Sequence, residues 1–361
     1  MELEQYYKEY IHKIKISDTN YGRGVIATED IKVGDILLDM PLSELMTGTH
    51  AELAYKLIDT NNAYTRSLPI DMTAFPVLWS AKKLKGVKNS ALADIILSRK
   101  KALLSENTKK HPLFLFYRLI VGSRGFAINK TTVTLVPVAD MFNHANQPNV
   151  DWNVKNGVFY MRAIADIAKG EECFDTYGSN KSNYENIMFY GMILPNNIHN
   201  DLTYELFDVP QSLQYRLDSS RFAKTIEFEL CGSYSRGTVE IFSFVRYLCR
   251  GGQCPTNLSG YYLAPKSRLE ELSVVGVLLR ALDAAYRRKV LKLDNIDKQV
   301  SAFIGTELNV IMRWTTLLKC VHQILKETSQ KKAKKMVDRC KPSIYINDVV
   351  RKLVNKKKSY V

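Results

Sequence analysis

Apolar residues in this chain change their period along its length. Val25 and Ile26, then Ile36, Leu37 and Leu38, form short runs around a Lys32-Val33-Gly34 turn and read as strands. From Ala51 to Arg124 the spacing becomes helical: Leu53 and Leu57, then Phe75, Leu78, Trp79, Leu84 and Leu103 recur at helical offsets, with Pro69 and Pro76 as punctuation. From about Asn200 onward helices dominate. Leu272, Val275, Leu279, Leu282 and Tyr286 make one stripe, and Ile304, Leu308, Ile311, Leu318 and Leu325 another, which should end before Pro342. Stripes this long pack against one another as a bundle. Ser182 and Glu185 have capping-box spacing and Gly191 suits a C′ position, so a short helix is expected between the two regimes.

Two segments carry a denser signal. Val138-Ala-Asp-Met-Phe-Asn-His-Ala-Asn-Gln-Pro-Asn149 gathers Asn143, His144, Pro148 and Asn149, residue types that suit a tight hydrogen-bonded crossing better than a helix or strand. Lys169-Gly-Glu-Glu-Cys-Phe-Asp-Thr-Tyr-Gly178 reads as a glycine turn, a short strand and a tyrosine hydroxyl. Asn-His-x-x-x-Pro-Asn followed by Gly-Glu-Glu-x-x-x-x-Tyr-Gly resembles the two halves of the pseudoknot of SET-domain protein methyltransferases, where one segment threads a loop closed by the other. Threading of this kind is rare among folds. Nearer the N-terminus, Gly22-Arg-Gly-Val-Ile-Ala-Thr-Glu-Asp-Ile-Lys-Val-Gly-Asp-Ile36 resembles the opening hairpin of that domain. Alone, a Gly-x-Gly between strands is only a bulge or a turn.

The insert narrows the resemblance. Tyr64-Thr-Arg-Ser-Leu-Pro69, Ala74-Phe-Pro-Val-Leu-Trp79 and Ser123-Arg-Gly-Phe126 are similar to the Rubisco large-subunit lysine methyltransferase-like class, as is Ser179-Asn-Lys-Ser-Asn183 leading into Phe189-Tyr-Gly191. Met192 stands where that class usually has Phe, a matter of packing. The resemblance implies an α+β chain: a pseudoknotted SET β-fold at 15–195 with a helical insert at about 47–122, then a mostly α-helical substrate-docking lobe at 200–340 and a basic tail at 341–361.

Composition fits that reading. With 361 residues and 46% hydrophobic content, the chain can bury one or two cores. Met1 to Tyr10 is charged and polar, unlike a secretory signal, and no apolar run approaches a membrane span, so a soluble protein of the cytosol is expected. Six scattered cysteines show no zinc spacing and no disulfide framework. Many histone-directed SET enzymes carry a cysteine-rich segment after the catalytic tyrosine, and nothing similar follows Tyr177.

The net charge of +14 is uneven, densest at Lys331–Lys335 and Arg351–Lys358. Such a tail could attract acidic partners, nucleic acid or a nuclear import receptor, or be a solvated helix face ending in a frayed terminus. Zinc-finger spacing and aromatic RNP-like strands are missing, which makes a nucleic-acid-binding protein the lesser alternative. A monomer acting on a protein substrate is expected.

The chemistry implied by the resemblance is methyl transfer from S-adenosylmethionine to a deprotonated lysine amine, whose pKa falls through burial and repulsion by the sulfonium. Tyr177 is the candidate catalytic hydroxyl and would also contact the cofactor. Arg124 offers a planar fork for the cofactor's carboxylate. Asn143 would hold its ammonium, His144 would offer backbone groups to the adenine, and Tyr21, Gly22, Arg23 and Gly24 would contribute a turn that approaches the donor closely. Ser123, Phe126, Ala139, Asp140, Trp152 and Tyr190 would wall the acceptor channel, although Trp152 reads equally as a core strand residue. No metal is expected, because His144 lacks ligands at suitable spacing. Actin-histidine methyltransferases of this class differ at two motif positions, with Asn in place of Phe126 and Trp in place of Ala139. The apolar pair found here favours a lysine stem over an imidazole, which needs a polar partner. Histidine methylation and a catalytically silent peptide-binding module are the remaining alternatives.

Overall fold

The computed structural model describes residues 2–87, 92–195, 197–200, 203–205, 227–229, 238–251, 264–290, 297–340 and 350–354. Cys231, Cys254, Pro342 and the lysine run at the C-terminus lie outside the described residues. The chain divides into two compact units, one of Met1–Leu78, Ile96–Lys181 and Ile187–Gly191, the other of Trp79–Ile95, Ser182–Asn186 and Met192–Val361.

The first unit is a set of small sheets with helices inserted. Strands β1 (Ile14–Thr19) and β2 (Gly22–Ala27) form an antiparallel hairpin. Gly22 closes it with φ +93, a conformation that only glycine adopts freely. The Lys32-Val33-Gly34 turn exists, with the Asp35 amide donating to the Lys32 carbonyl at 3.0 Å and Gly34 at φ +94. The strands beside it do not pair with one another, however, which corrects the hairpin expected there. β3 (Ile36–Pro41) pairs instead with a later strand, and a register shift between Ile36 and Leu38 lets the adjacent Leu37 and Leu38 both bury fully.

Short strands β4 (Met46–Gly48), β5 (Gly125–Phe126) and β6 (Val133–Leu135) form one sheet in the order β4-β6-β5. Between β4 and β5 in sequence run helices α1 (His50–Ile58), α2 (Ala63–Ser67), α3 (Ala81–Lys85), α4 (Leu92–Ser105) and α5 (Phe114–Arg124), of which α3 and the first turn of α4 belong to the second unit. Thr49 and Glu52 cap α1 reciprocally.

Then come β7 (Asn143–His144), β8 (Val150–Lys155), β9 (Val158–Ala163) and β10 (Phe174–Asp175). β8 and β9 form a hairpin turned by Asn156 and Gly157, both at positive φ, and β9 is central in the order β3-β9-β8. β10 pairs parallel to β7. The Ala27 amide donates to the Glu171 carbonyl and the Cys173 amide to the Val25 carbonyl, so residues 171–175 run between β2 and β7, the crossing expected of the pseudoknot.

α6 (Asn183–Tyr190) begins at a reciprocal Ser182–Glu185 box, and the Gly191 amide donates to Ile187 at φ +69. The second unit continues with α7 (Thr238–Cys249), α8 (Arg268–Val290), α9 (Lys298–Lys326) and α10 (Gln330–Cys340). Phe244, Val245, Val275, Leu278, Trp314 and Leu318 form its core. The stripe on α9 buries as its spacing predicts, and the helix ends at Lys326. The stripe on α8 is rotated: Glu271, Val274, Val275, Leu278, Leu282, Ala285 and Lys289 are buried, while Leu272, Leu279 and Tyr286 sit at the edge. Two charges turn it. Glu271 meets the fully buried Arg246 through both carboxylate oxygens, at 2.8 and 2.5 Å, and Lys289 donates to buried Glu307 at 2.7 Å. Cys320 is disulfide-bonded, whereas Cys173 and Cys249 are free thiols.

Candidate active site

Local hydrogen bonds explain why the two dense motifs need their residue types. Asn149 accepts the Phe174 amide at 2.7 Å with Oδ1 and donates Nδ2 to the Glu172 carbonyl at 3.0 Å, clamping the strand that leads to Tyr177. His144 accepts the Tyr177 amide at 3.0 Å with Nδ1, which places its proton on Nε2. Burial pushes the imidazole pKa down, against a raising hydrogen bond with Asn146, and keeps the ring neutral. Asn143 donates Nδ2 to Glu172 Oε1 at 2.7 Å, leaving its own Oδ1 as the acceptor.

Tyr177 is held from three sides. Its hydroxyl donates to the Phe142 carbonyl at 2.8 Å, the Tyr190 hydroxyl donates to its carbonyl at 3.0 Å, and its ring lies 4.8 Å from that of Tyr190 and 5.3 Å from His144. Burial is the main cause that drives the phenol pKa well above its ordinary value, with Arg124 pulling the other way. The group is therefore a neutral phenol at any physiological pH.

Arg124 ends α5 and donates Nη1 to the Asp140 carbonyl at 2.8 Å and to Asp140 Oδ2 at 3.3 Å. Tyr64 donates its hydroxyl to the same Oδ2 at 3.0 Å. Asp140 Oδ1 is buried and has no hydrogen-bond partner among the described residues. Burial pushes the Asp140 carboxyl up, opposed by the charge of Arg124. Burial likewise opposes the charge on Arg124, but Asp140, Tyr64 and Tyr177 outweigh it and hold the guanidinium above its usual range. Arg23 donates Nη2 to the Ser67 carbonyl at 2.6 Å; burial first, then repulsion by Arg124, draws its pKa down. Two guanidiniums thus act on one carboxylate, leaving an excess of positive charge.

Gly24 has a steric reason to lack a side chain. A Cβ there would lie 2.5 Å from Glu172 Oε1 and 2.6 Å from Asn143 Nδ2. Gly22 faces open space, and Tyr21 is exposed with its ring edge on Phe174.

The remaining candidates group differently. Phe126, Trp152 and Phe159 form an aromatic cluster, with Phe126 at 5.4 and 4.9 Å from the other two and Trp152 stacked on Phe159 at 5.6 Å. Ala139 is buried, and the Ser123 hydroxyl bonds back to the Ile120 carbonyl within its own helix. Asn149, Glu172 and Tyr64 hold this constellation together without having been assigned roles from the sequence. All three lay inside motifs already recognised, and only their contacts distinguish them from neighbours.

Residues 22–178 match the family model described as SET domain. This part of the chain is a SET domain. Among solved structures, the SET domain of the Rubisco methyltransferase bound to methyllysine and S-adenosylhomocysteine superposes with a TM-score of 0.63 at 20% identity, over 96% of this chain and 99% of that one. That likeness establishes the fold across both units: α+β, with a helical C-terminal region. In sequence, the chain is 33% identical over 94 residues to ribosomal lysine N-methyltransferase 1 of Saccharomyces cerevisiae, covering 24% of this chain and 16% of that protein. It is 25% identical over 275 residues to the chloroplastic Rubisco large-subunit N-methyltransferase of Pisum sativum, covering 60% and 56%. The matched segments thus span little more than half of the pea protein and a sixth of the yeast one.

Proposed function

We propose that this chain is an S-adenosylmethionine-dependent protein-lysine N-methyltransferase. The observation that carries the reading is the clamped, neutral Tyr177 hydroxyl beside the charge of Arg124, inside a SET domain. The cradle fits the cofactor. Gly24 leaves room for the Asn143 and Glu172 side chains to meet, which sets Asn143 in place, Gly22 faces open space, Arg124 and Arg23 supply positive charge for a carboxylate, and Asn143 Oδ1 supplies an acceptor for an ammonium. His144 orients Tyr177 through its ring, with Asn146 bonded to that ring, and its backbone groups would face the adenine.

When bound, S-adenosylmethionine supplies a sulfonium methyl that a nitrogen lone pair attacks in line. Tyr177 donates its proton to Phe142, so its oxygen lone pairs are free to accept an N–H of the lysine amine and aim the nitrogen. A raised phenol pKa suits this aligning role and not that of a base. Asp140 Oδ1, buried and unpartnered, offers the arriving ammonium an acceptor before its proton is lost. Phe126, Trp152, Ala139 and Tyr190 would bound the alkyl stem, with Ser123 behind them. Residues 200–340 would dock the substrate protein and 341–361 would form a basic tail.

The test is incubation of the chain with methyl-labelled S-adenosylmethionine and host lysate, followed by peptide mass spectrometry. Label on lysine in a few proteins is expected, and it should fall strongly in Tyr177→Phe while cofactor affinity persists. Label confined to histidine would overturn the lysine reading, and absence of cofactor binding by calorimetry would overturn the enzyme class.

A further inference from the structure

Helix α10 presents two contrasting faces. Ala333 and Val337 are fully buried in the helical core, with Met336 partly buried beside them. Lys331, Lys332, Lys334, Lys335 and Arg339 are all exposed. At 3.6 residues per turn these cations fan across the half of the cylinder opposite the core contact. Asp338 is the one carboxylate on the helix, and exposed Arg351 meets it at 3.1 Å, an arrangement that contributes little in water. A cleft of about 210 Å³ between α10 and the helical turn at 350–354 is lined by Lys334, Val337, Asp338, Arg351 and Val354, with Lys352 exposed nearby.

The chemistry of this face selects its partner. It has no apolar centre of the kind a protein interface needs. Its apolar side is already packed on the core, so the helix cannot lay that side into a bilayer. Cations spread over half a cylinder cannot all meet a plane, but they can meet a concave surface charged on both walls. Duplex DNA has that shape, with phosphates flanking a major groove wide enough to admit a helix.

We propose that α10, together with Arg351 and Lys352, is a docking surface for the phosphodiester backbone of duplex DNA. Lysine dominates the face and no aromatic ring interrupts it, so it reads charge without base sequence. This surface lies at the end of the region proposed to dock the substrate protein but is separate from the residues proposed for methyl transfer, and it stands whether or not that activity is found.

The test is fluorescence anisotropy of the full chain with a labelled DNA duplex and a labelled RNA duplex of about 20 base pairs, between about 50 and 200 mM salt. A Kd of about 10⁻⁶ to 10⁻⁴ M is expected, with log K falling against log salt at a slope of about −4 to −5. Combined Lys331→Gln, Lys332→Gln, Lys334→Gln and Lys335→Gln should flatten that slope by about 3 to 4 and weaken binding at least about tenfold at low salt, because about four phosphate contacts are lost. Its melting temperature should match the unaltered chain. If the fourfold variant does not fold, Lys331→Gln with Lys335→Gln should flatten the slope by about 2. Binding of the DNA duplex with this charge dependence supports the proposal, and binding of the RNA duplex alone would overturn it. An unchanged slope in folded variants would overturn it, as would polyglutamate or phosphatidylserine vesicles competing as well as the duplexes do.

Discussion

Asp175 offers a direct measurement of the electrostatics around the candidate hydroxyl. It lies on β10 in register with His144, is 3% exposed, and accepts the Thr176 amide through Oδ1 at 2.7 Å. Burial pushes its carboxyl from 3.8 up to about 7, with Asp151 adding to the rise and the Thr176 amide opposing it. In the unfolded chain the group ionises near 3.8. Between those two values the native state binds more protons than the unfolded one, so stability falls as pH rises through the window. The loss is absent below about 3.8 and complete above about 7. A gap of roughly 3 units corresponds to about 4 kcal/mol.

Asp175→Asn keeps the Oδ1 acceptor and removes the titration. The variant should be more stable than the unaltered chain at pH above about 7, by up to about 4 kcal/mol, and nearly equal to it close to pH 4. Urea denaturation of both proteins at half-unit steps of pH measures the difference curve, in which titrations common to both cancel. A difference that stays flat across the window would refute the assignment of a buried, proton-retaining carboxyl at this position.

Other replacements separate local roles. Tyr177→Phe removes the hydrogen bond to Phe142, at a stability cost of about 1 kcal/mol, and should abolish most turnover with cofactor affinity intact; calorimetry and rate measurement together decide it. Gly24→Ala places a methyl against Glu172 and Asn143, so cofactor affinity should fall, with a loss of about 1–3 kcal/mol in denaturation experiments. Arg246→Ala leaves Glu271 charged and unpaired in the helical core and should cost about 3–5 kcal/mol, most of which Arg246→Met with Glu271→Leu should restore. Ala139→Trp inserts a large ring at a fully buried site and is expected to lower the melting temperature before any change of acceptor can be read.

What was legible in the sequence depended on how local its cause is. The capping box at Ser182, the C′ glycine at 191 and the stripe on α9 follow from spacing within one element, and each formed as read. The pairing of β3 with β9 and the rotation of α8 were not legible. Both depend on partners distant in sequence: a register shift that buries two adjacent leucines, and a buried Arg246 that draws Glu271 inward. The motifs marked where the site is without revealing how it is held. Tyr64 lies 76 positions from Asp140, yet its hydroxyl shares Oδ2 with Arg124.

The least legible feature is Val138, a β-branched residue at φ 70 and ψ −45, where such residues are rarely found. It is buried, and the Met141 amide donates to its carbonyl at 3.0 Å, closing the short turn at Ala139–Met141. That turn presents both the carbonyl and the carboxylate of Asp140 to Arg124. A conformation costing roughly 1–3 kcal/mol persists only where its surroundings over-determine it. Here the surroundings are the buried ion pair, so the strain at Val138 and the placement of Arg124 are one arrangement. Propensity alone would have assigned Val138 to an ordinary strand.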